Sequence, residues 1–143
     1  MTAASAAPLR AADRIDVIAG DLRRDDVLTV RAAKLVDPSD PYLPGHFPGL
    51  TLFPGVFLLE TLRQTVVGVL GEDRGALPEL TRLRSLRCLA PLRAGEWFTL
   101  TCTLTRHDDG HRADGRFERG DGVRAATVRA DYGYPGGGRA DPR

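Results

Sequence analysis

The fold of this 143-residue chain is decided by the stretch Pro54-Gly-Val-Phe-Leu-Leu-Glu-Thr-Leu-Arg-Gln-Thr-Val-Val-Gly-Val-Leu70. Pro54 suits the first turn of a helix, and Gly71 suits the left-handed residue that follows the last turn. One side of such a helix carries apolar residues at helical spacing: Leu58, Leu62, Val66 and Val69. Other apolar residues cover most of the remaining surface, and a helix of that kind belongs inside a core. The sequence therefore predicts one central helix with a sheet wrapped around it.

The sheet is predicted by alternating apolar and polar residues on both sides of the helix. Residues 97–105 alternate most clearly: threonines make most of one face, and the other consists of Phe98, Leu100, Cys102 and Leu104. Further strands are expected near residues 14–19, 27–36, 80–90, 111–119 and 123–132. We therefore expect an α+β domain over residues 12–133, with a curved antiparallel sheet around one long central helix and flexible ends at 1–11 and 134–143.

The composition excludes several classes of partner. The chain has 20 basic and 19 acidic residues, so its net charge of +1 gives no general reason to bind nucleic acid. No apolar run reaches the roughly 20 residues that a membrane-spanning helix needs, and the first residues do not resemble a secretion signal. Cys88 and Cys102 are expected to be small buried residues without a disulfide or a metal. A cytoplasmic location follows as the expectation.

A loop rich in proline and glycine, residues 41–56, leads into the helix and holds His46. A histidine fixed there can act as a general base, because its ordinary pKa lies near neutrality. Glu60 lies inside the apolar helix, where an apolar setting raises the pKa of a carboxyl group until it can donate a proton. The N–H groups of Gly55 and Val56 begin the helix and can stabilise an oxyanion. These groups can together remove a proton next to a carbonyl and expel a β-hydroxyl.

Three motifs fall in register around this loop: His46-Phe-Pro-Gly49, Phe53-Pro-Gly-Val56 and Glu60-x-x-x-Gln64. Together they resemble the FabZ-type (3R)-hydroxyacyl-acyl-carrier-protein dehydratases, which have the hotdog fold. The resemblance covers roughly residues 13–133 and implies a hydro-lyase of fatty acid or polyketide biosynthesis. Its substrate would be a 3-hydroxyacyl chain on the phosphopantetheine of an acyl carrier protein, and its product a trans-2-enoyl thioester. The resemblance implies no cofactor and no metal.

The same resemblance implies a role for each site residue. His46 would take the α-proton, and Glu60 would protonate the departing hydroxyl. The remaining residues would bind substrate or orient the acid: Gly55 and Val56 at the thioester carbonyl, Gly49 at the entrance of the acyl tunnel, and Gln64 beside Glu60. The fold of the family also implies a homodimer whose sheets join edge to edge. Each site would then take its histidine from one subunit and its carboxylate from the other.

Two departures from the FabZ pattern concern the substrate. Arg63 stands where a small residue is usual, and residues 50–52 replace a commoner Lys/Arg-Pro-Ile. These changes favour a specialised polyketide or modified fatty-acyl substrate over a housekeeping one. They also keep a heterodimer open as the alternative to the homodimer.

Several rival interpretations remain open at the level of sequence. The local arginine cluster, Arg82, Arg84, Arg87 and Arg93, is either a solvated sheet face or a docking surface for an acidic carrier protein. A hotdog thioesterase would use Glu60 and a water molecule to hydrolyse the thioester. A non-catalytic acyl-binding subunit of a heterodimeric dehydratase would need neither His46 nor Glu60. No nucleic acid and no membrane insertion is expected in any of these cases.

Overall fold

The computed structural model describes residues 10–37, 39, 55–73, 75–107 and 110–135. In this part of the chain, one helix and six strands follow each other in the order β1 (Arg14–Ala19), β2 (Val27–Leu35), α1 (Gly55–Leu70), β3 (Glu79–Cys88), β4 (Trp97–His107), β5 (Gly110–Arg119) and β6 (Arg124–Gly133). The expected elements are all present, with bounds shifted by at most two residues. His46, Gly49 and Pro54 lie outside the described residues, and the domain bounds at 12 and 133 remain predictions.

The six strands form one antiparallel sheet in the order β1-β2-β4-β5-β6-β3. The chain leaves the sheet after β2, forms α1, and returns at the far edge with β3. Strands β4, β5 and β6 then fill the space between β2 and β3 as consecutive antiparallel neighbours. The α+β class predicted from the sequence is confirmed, and β1 and β3 are the two edge strands.

Strand β4 shows the alternation that the sequence predicts. Phe98, Leu100, Cys102 and Leu104 are buried on the inner face, while the threonines between them are half-buried on the outer face. Phe98 also meets Phe117 of β5 edge to face, with ring centroids 5.9 Å apart. The inner face of the central strands is therefore the sheet half of the hydrophobic core.

Helix α1 forms the other half of the core. Its buried residues all lie on one side: Leu58, Thr61, Leu62, Thr65 and Val66. The hydroxyls of Thr61 and Thr65 donate to the carbonyls four residues earlier, at 3.1 and 2.7 Å, so their burial leaves no hydroxyl unsatisfied. Gly71 ends the helix in the left-handed region (φ 70°), as predicted. No described helix is both long enough and apolar enough to cross a bilayer.

The sheet covers only one side of α1 within a single chain. Val56 is 63% exposed, and Arg63 also faces away from the buried side. Although most of the helix surface is apolar in sequence, the sheet does not cover the strip that carries Val56, Glu60 and Arg63. This strip borders the same cavity as Leu80 on the inner face of β3.

Strand β3 carries leucines at a spacing of three, which a regular strand would place on alternating faces. Two register shifts, between Leu80 and Arg82 and between Leu83 and Ser85, correct this. As a result, Leu80, Leu83 and Leu86 lie opposite buried residues of β6 and share the inner face. Leu80 and Leu83 are each 42% exposed, because α1 packs mainly against the other edge of the sheet.

The N-terminal segment before β1 is fastened to both layers. Asp13 accepts from the N–H of Leu35 at 2.8 Å and pairs with the ammonium of Lys34 at 3.8 Å. Lys34 is buried on the inner side of β2, so this carboxylate compensates a charge that has lost most of its water. Ala11 is also buried, and its N–H donates to Gln64 on α1 at 2.9 Å.

The two cysteines differ, although the sequence predicted burial for both. Cys102 is buried in β4, and burial raises its pKa to about 12. Cys88 is exposed at the end of β3, which corrects the prediction. The reason is that β3 is an edge strand that is exposed along nearly its whole length.

Candidate active site

The N-terminus of α1 opens onto a cavity of about 300 Å³. Its lining comes from the start of the helix, the end of β3 and the turn that follows: Gly55, Leu58, Cys88, Leu89, Ala90, Pro91, Leu92 and Ala125. A side chain at position 55 would place its Cβ 3.2 Å from Cys88 Sγ, so glycine suits this close approach. The first N–H groups of a helix have no partner within it, so the cavity has donors for a carbonyl oxygen or an oxyanion.

Glu60 borders a second cavity, of about 390 Å³. Helix α1 supplies most of its walls, and β3 and β6 supply one residue each: Val56, Phe57, Leu59, Glu60, Arg63, Leu80 and Tyr132. The walls are largely apolar, and burial raises the pKa of the Tyr132 hydroxyl, which keeps it neutral. Val56 lines this cavity and Gly55 lines the first, so both cavities reach the first turn of α1.

The carboxylate of Glu60 is held by two neighbours on its own helix. Arg63 donates from Nε to Oε1 at 2.8 Å and from Nη2 to Oε2 at 2.6 Å, which is a two-point pair. Gln64 donates from Nε2 to Oε2 at 2.9 Å. Spacings of three and four residues place all three side chains on one face of the helix.

These contacts correct the protonation state expected for Glu60. The Arg63 guanidinium lowers the pKa of Glu60 below its ordinary value of 4.5, and the hydrogen bond from Gln64 lowers it further, although burial acts in the opposite direction. Glu60 is therefore a carboxylate at neutral pH in this chain, and not the protonated acid that the apolar helix suggested. The apolar neighbours suggested a raised pKa, but the arginine one turn away has the larger effect on this carboxyl group.

Gln64 links Glu60 to the N-terminal segment. Its Nε2 donates to Glu60, and its Oε1 accepts from the N–H of Ala11. Because the carboxylate requires a donor and the N–H requires an acceptor, these two contacts fix which way the amide lies. The contact with Glu60 agrees with the place that the resemblance implies for Gln64, while its role in orienting Glu60 remains a prediction.

The structure does not gather the four arginines predicted for carrier docking into one set. Arg82 and Arg87 are exposed on the outer face of β3, and Arg93 is exposed in the turn before β4. Arg84 is instead paired with Asp131, at 2.9 Å, and Asp131 also accepts from Arg112 at 3.1 Å. Arg84 therefore brings less free charge to that face than the other three.

Tyr132 and Leu80 are the cavity residues that the sequence analysis missed. Both were assigned to strands, but nothing in the local sequence shows that they face each other across β3 and β6. Among the described residues, no group of three or more His, Cys, Asp and Glu side chains could hold a metal ion. His46 and Gly49 were predicted for this site and lie outside the described residues.

A family model for ApeI-like proteins, described as ApeI dehydratase, matches residues 23–128. The chain belongs to this family of dehydratases. Among curated relatives, the FabZ 3-hydroxyacyl-acyl-carrier-protein dehydratase of Nitratidesulfovibrio vulgaris (strain DP4) is 32% identical over 83 residues, which is 54% of each chain. The FabZ of Verminephrobacter eiseniae (strain EF01-2) is 36% identical over 84 residues, covering 54% of this chain and 55% of the relative. The chain thus spans about half the length of the curated relatives it matches.

Solved structures agree on the fold. A protein from Erwinia carotovora subsp. atroseptica has a TM-score of 0.67 at 18% identity, covering 85% of this chain and 94% of the other. The dehydratase heterocomplex ApeI:P from Xenorhabdus doucetiae has a TM-score of 0.61 at 16% identity, covering 85% and 96%. A hot-dog-like protein from Thermanaerovibrio acidaminovorans has a TM-score of 0.60 at 22% identity, covering 74% and 79%. The hotdog fold expected from the motifs is confirmed.

Proposed function

We propose that this ApeI-like chain dehydrates 3-hydroxyacyl thioesters carried by acyl carrier protein, giving trans-2-enoyl thioesters. The observation that carries the proposal is the Glu60 carboxylate, held at the wall of a largely apolar cavity at the N-terminal end of α1. The family membership and the names of the FabZ relatives support the same reaction. Fatty acid or polyketide biosynthesis is the setting that this reaction suggests, and a cytoplasmic location remains part of the proposal.

The elimination needs one proton removed and one proton delivered. The C–H bond at the α carbon breaks, its electron pair forms the C=C bond, and the C–O bond at the β carbon breaks. The leaving oxygen takes up a proton and departs as water. We assign the α-proton to His46, the thioester carbonyl to the N–H groups of Gly55 and Val56, and the β-hydroxyl to Glu60. Gly49 keeps its predicted place at the entrance of the acyl tunnel.

We further propose that two chains assemble through β3. This edge strand has ten residues, and its inner face leaves Leu80 and Leu83 each 42% exposed. Val56 of α1 is 63% exposed and lines the same cavity as Leu80. A long edge strand with exposed leucines needs cover, and a second copy of the strand would provide it. A homodimer is the proposal, and a heterodimer would be the outcome if the purified chain remains a monomer.

Assays with 3-hydroxyacyl pantetheine thioesters of several lengths test the reaction. Mass spectrometry should show the loss of one water from the substrate. His46→Ala should reduce that loss at least a hundredfold, because a general base contributes roughly 10²–10⁴ to such rates. Glu60→Ala should reduce it by about a hundredfold, because the β-hydroxyl loses the carboxylate that orients it. Glu118→Ala is the matched control. Its carboxylate pairs with Arg116, and both residues lie on β5, which does not line the Glu60 cavity. Activity that survives in both site variants would refute the assignment.

The ionised state of Glu60 favours one second candidate, a thioesterase. A carboxylate can take a proton from a water molecule, which then attacks the thioester carbonyl and releases a free acid. The same assay separates the two reactions by the mass of the product. Release of the 3-hydroxy acid with free pantetheine would support hydrolysis, whereas the enoyl thioester supports dehydration. Tight acyl binding without either product would instead support the non-catalytic subunit.

Carrier docking is proposed for the arginines that remain exposed, Arg82, Arg87 and Arg93. Such an electrostatic contact weakens as salt is added, because the charges lie in solvent. The KM for a carrier-linked substrate should therefore rise with ionic strength, while the KM for the pantetheine thioester should change little. Equal salt dependence for both substrates would indicate that these arginines face solvent and do not bind the carrier protein.

A further inference from the structure

Arg63 is the feature of the site that the FabZ pattern does not supply. Its guanidinium meets both oxygens of Glu60, with donor–acceptor distances of 2.8 and 2.6 Å. The side chains of Arg63 and Glu60 are 46% and 30% exposed, so the pair lies at the wall of the cavity and is still partly in contact with solvent. A substrate that fills the cavity would displace water from the pair and strengthen it.

The hydrogen bonds of Glu60 determine what the carboxylate can still do. An ionised carboxylate has about four acceptor positions and no donor. Among the described residues, Oε2 accepts from Arg63 and Gln64, and Oε1 accepts from Arg63 alone. Oε1 therefore retains an acceptor position for a ligand. A hydroxyl that donates to Oε1 is oriented by the carboxylate but receives no proton from it.

The groups that face Glu60 from neighbouring elements of the described chain add no second charged partner to its carboxylate. On α1 they are Arg63 and Gln64, and on β6 the nearest titratable group is the neutral hydroxyl of Tyr132. Strand β3 contributes the apolar Leu80 to the cavity wall. In the described part of the chain, Arg63 is thus the charged partner that decides the ionisation of Glu60.

We propose that Arg63 is a positioning residue that keeps Glu60 a hydrogen-bond acceptor during turnover, so that Glu60 orients the β-hydroxyl and a different acid protonates it. This inference rests on the proposed dehydration and deepens it. The base that removes the α-proton becomes protonated in that step. Its conjugate acid then delivers the same proton to the leaving oxygen, so the cycle consumes and produces no net proton.

Substitution of Arg63 by glutamine tests this order of events. Arg63→Gln removes the charge and the two-point pair but keeps a polar side chain of similar length. We expect kcat/KM for a 3-hydroxyacyl pantetheine thioester to fall about tenfold at pH 7, since a misplaced catalytic group costs roughly that much or more. We also expect the acid limb of the pH profile to move to higher pH, because an unpaired Glu60 gains its proton more easily. Arg63→Lys, which keeps the charge, should restore part of the loss.

The opposite result has an equally clear signature. If Glu60 were the proton donor, Arg63 would oppose catalysis, and Arg63→Gln would raise kcat/KM at pH 7. An unchanged profile would also overturn the proposal. Arg119→Gln is the matched control, because Arg119 makes a similar two-point pair with Asp121, in the turn between β5 and β6. This control should leave both the rate and the profile unchanged.

A second measurement separates this proposal from the proposed function. Glu60 labelled with ¹³C at Cδ can be titrated by NMR in the free chain, with and without Arg63→Gln. A wild type without dehydratase activity would refute the function, yet the titration would still show whether Arg63 holds Glu60 ionised. A Glu60 titration that does not respond to Arg63→Gln would refute the pairing itself, whatever the chain catalyses.

Discussion

The two sides of α1 have opposite chemistry within a single helix. On the side that faces the sheet, Leu58, Leu62 and Val66 are buried against apolar strands. On the other side, Glu60 and Arg63 bond mainly to each other and make no hydrogen bond to the sheet among the described residues. The buried side therefore holds the fold together, whereas the open side can vary its chemistry with little effect on the fold.

The largest expected effect comes from the buried side. Leu62→Ala should lower the free energy of unfolding by about 2–5 kcal/mol, because it removes a fully buried side chain and leaves a cavity. Urea unfolding followed by circular dichroism measures the change. Val123→Ala, in the exposed turn between β5 and β6, is the control, and it should stay within about 0.5 kcal/mol. Similar losses in the two variants would mean that Leu62 does not make the packing contacts that its burial indicates.

The next largest effect is on assembly, and it comes from the exposed leucines of β3, which lie beside the open side of α1. Leu83→Glu should convert a dimer into a monomer, because it places a charge on the exposed inner face of the edge strand. Size-exclusion chromatography with light scattering measures the mass. Thr29→Glu, on the outer face of β2 and near the opposite edge of the sheet from β3, is a control for added negative charge. A wild-type monomer, or a dimer that persists in Leu83→Glu, would contradict assembly through this strand.

A smaller effect is expected where the first turn of α1 meets the end of β3. Gly55→Ala places a Cβ 3.2 Å from Cys88 Sγ, so the sulfur must give way by a few tenths of an ångström. In a Cys88→Ala background that obstacle is absent, and Gly55→Ala should stabilise the chain by about 0.4–1 kcal/mol through the unfolded state. Thermal unfolding of the four variants of this cycle gives the coupling. Equal effects in both backgrounds would show that the two residues do not touch.

The smallest effect is the pH dependence of the Glu60–Arg63 pair. Because the folded pKa of Glu60 is lowered, its contribution is fully present above the unfolded pKa near 4.5 and is lost as the pH falls through the lower folded value. An exposed pair contributes only about 0–1 kcal/mol, and that range already allows for solvent screening. The difference in urea midpoint between wild type and Glu60→Gln should therefore shrink between pH 6 and pH 3. A difference that grows on acidification would contradict the lowered pKa.

The sequence predicts the elements of this fold because each carries its own local signal. Alternation locates β4, helical spacing locates α1, and Gly71 ends the helix in the expected conformation. Strand β3 was placed within a few residues, but its two register shifts were not predicted. A spacing of three between leucines could have indicated them, since only a bulge keeps such residues on one face.

The site was predicted less completely than the fold. The contact between Gln64 and Glu60 follows from the helical repeat, and Arg63 lies within the same reach. The sequence does not show which neighbour determines the pKa of Glu60, because burial and a guanidinium shift that pKa in opposite directions. Tyr132 and Leu80 come from strands far apart in sequence, and the position of Cys88 at an exposed strand end depends on strand order.

Lys34 gives the chain a built-in reporter. It is the only lysine of the 143 residues, and the inner side of β2 shields it from solvent. A reagent that modifies side-chain amines should react at this position only when β2 and the Asp13 segment separate. The rate of modification at Lys34, followed by peptide mass mapping, would thus measure how often the sheet opens, without any dye or engineered probe.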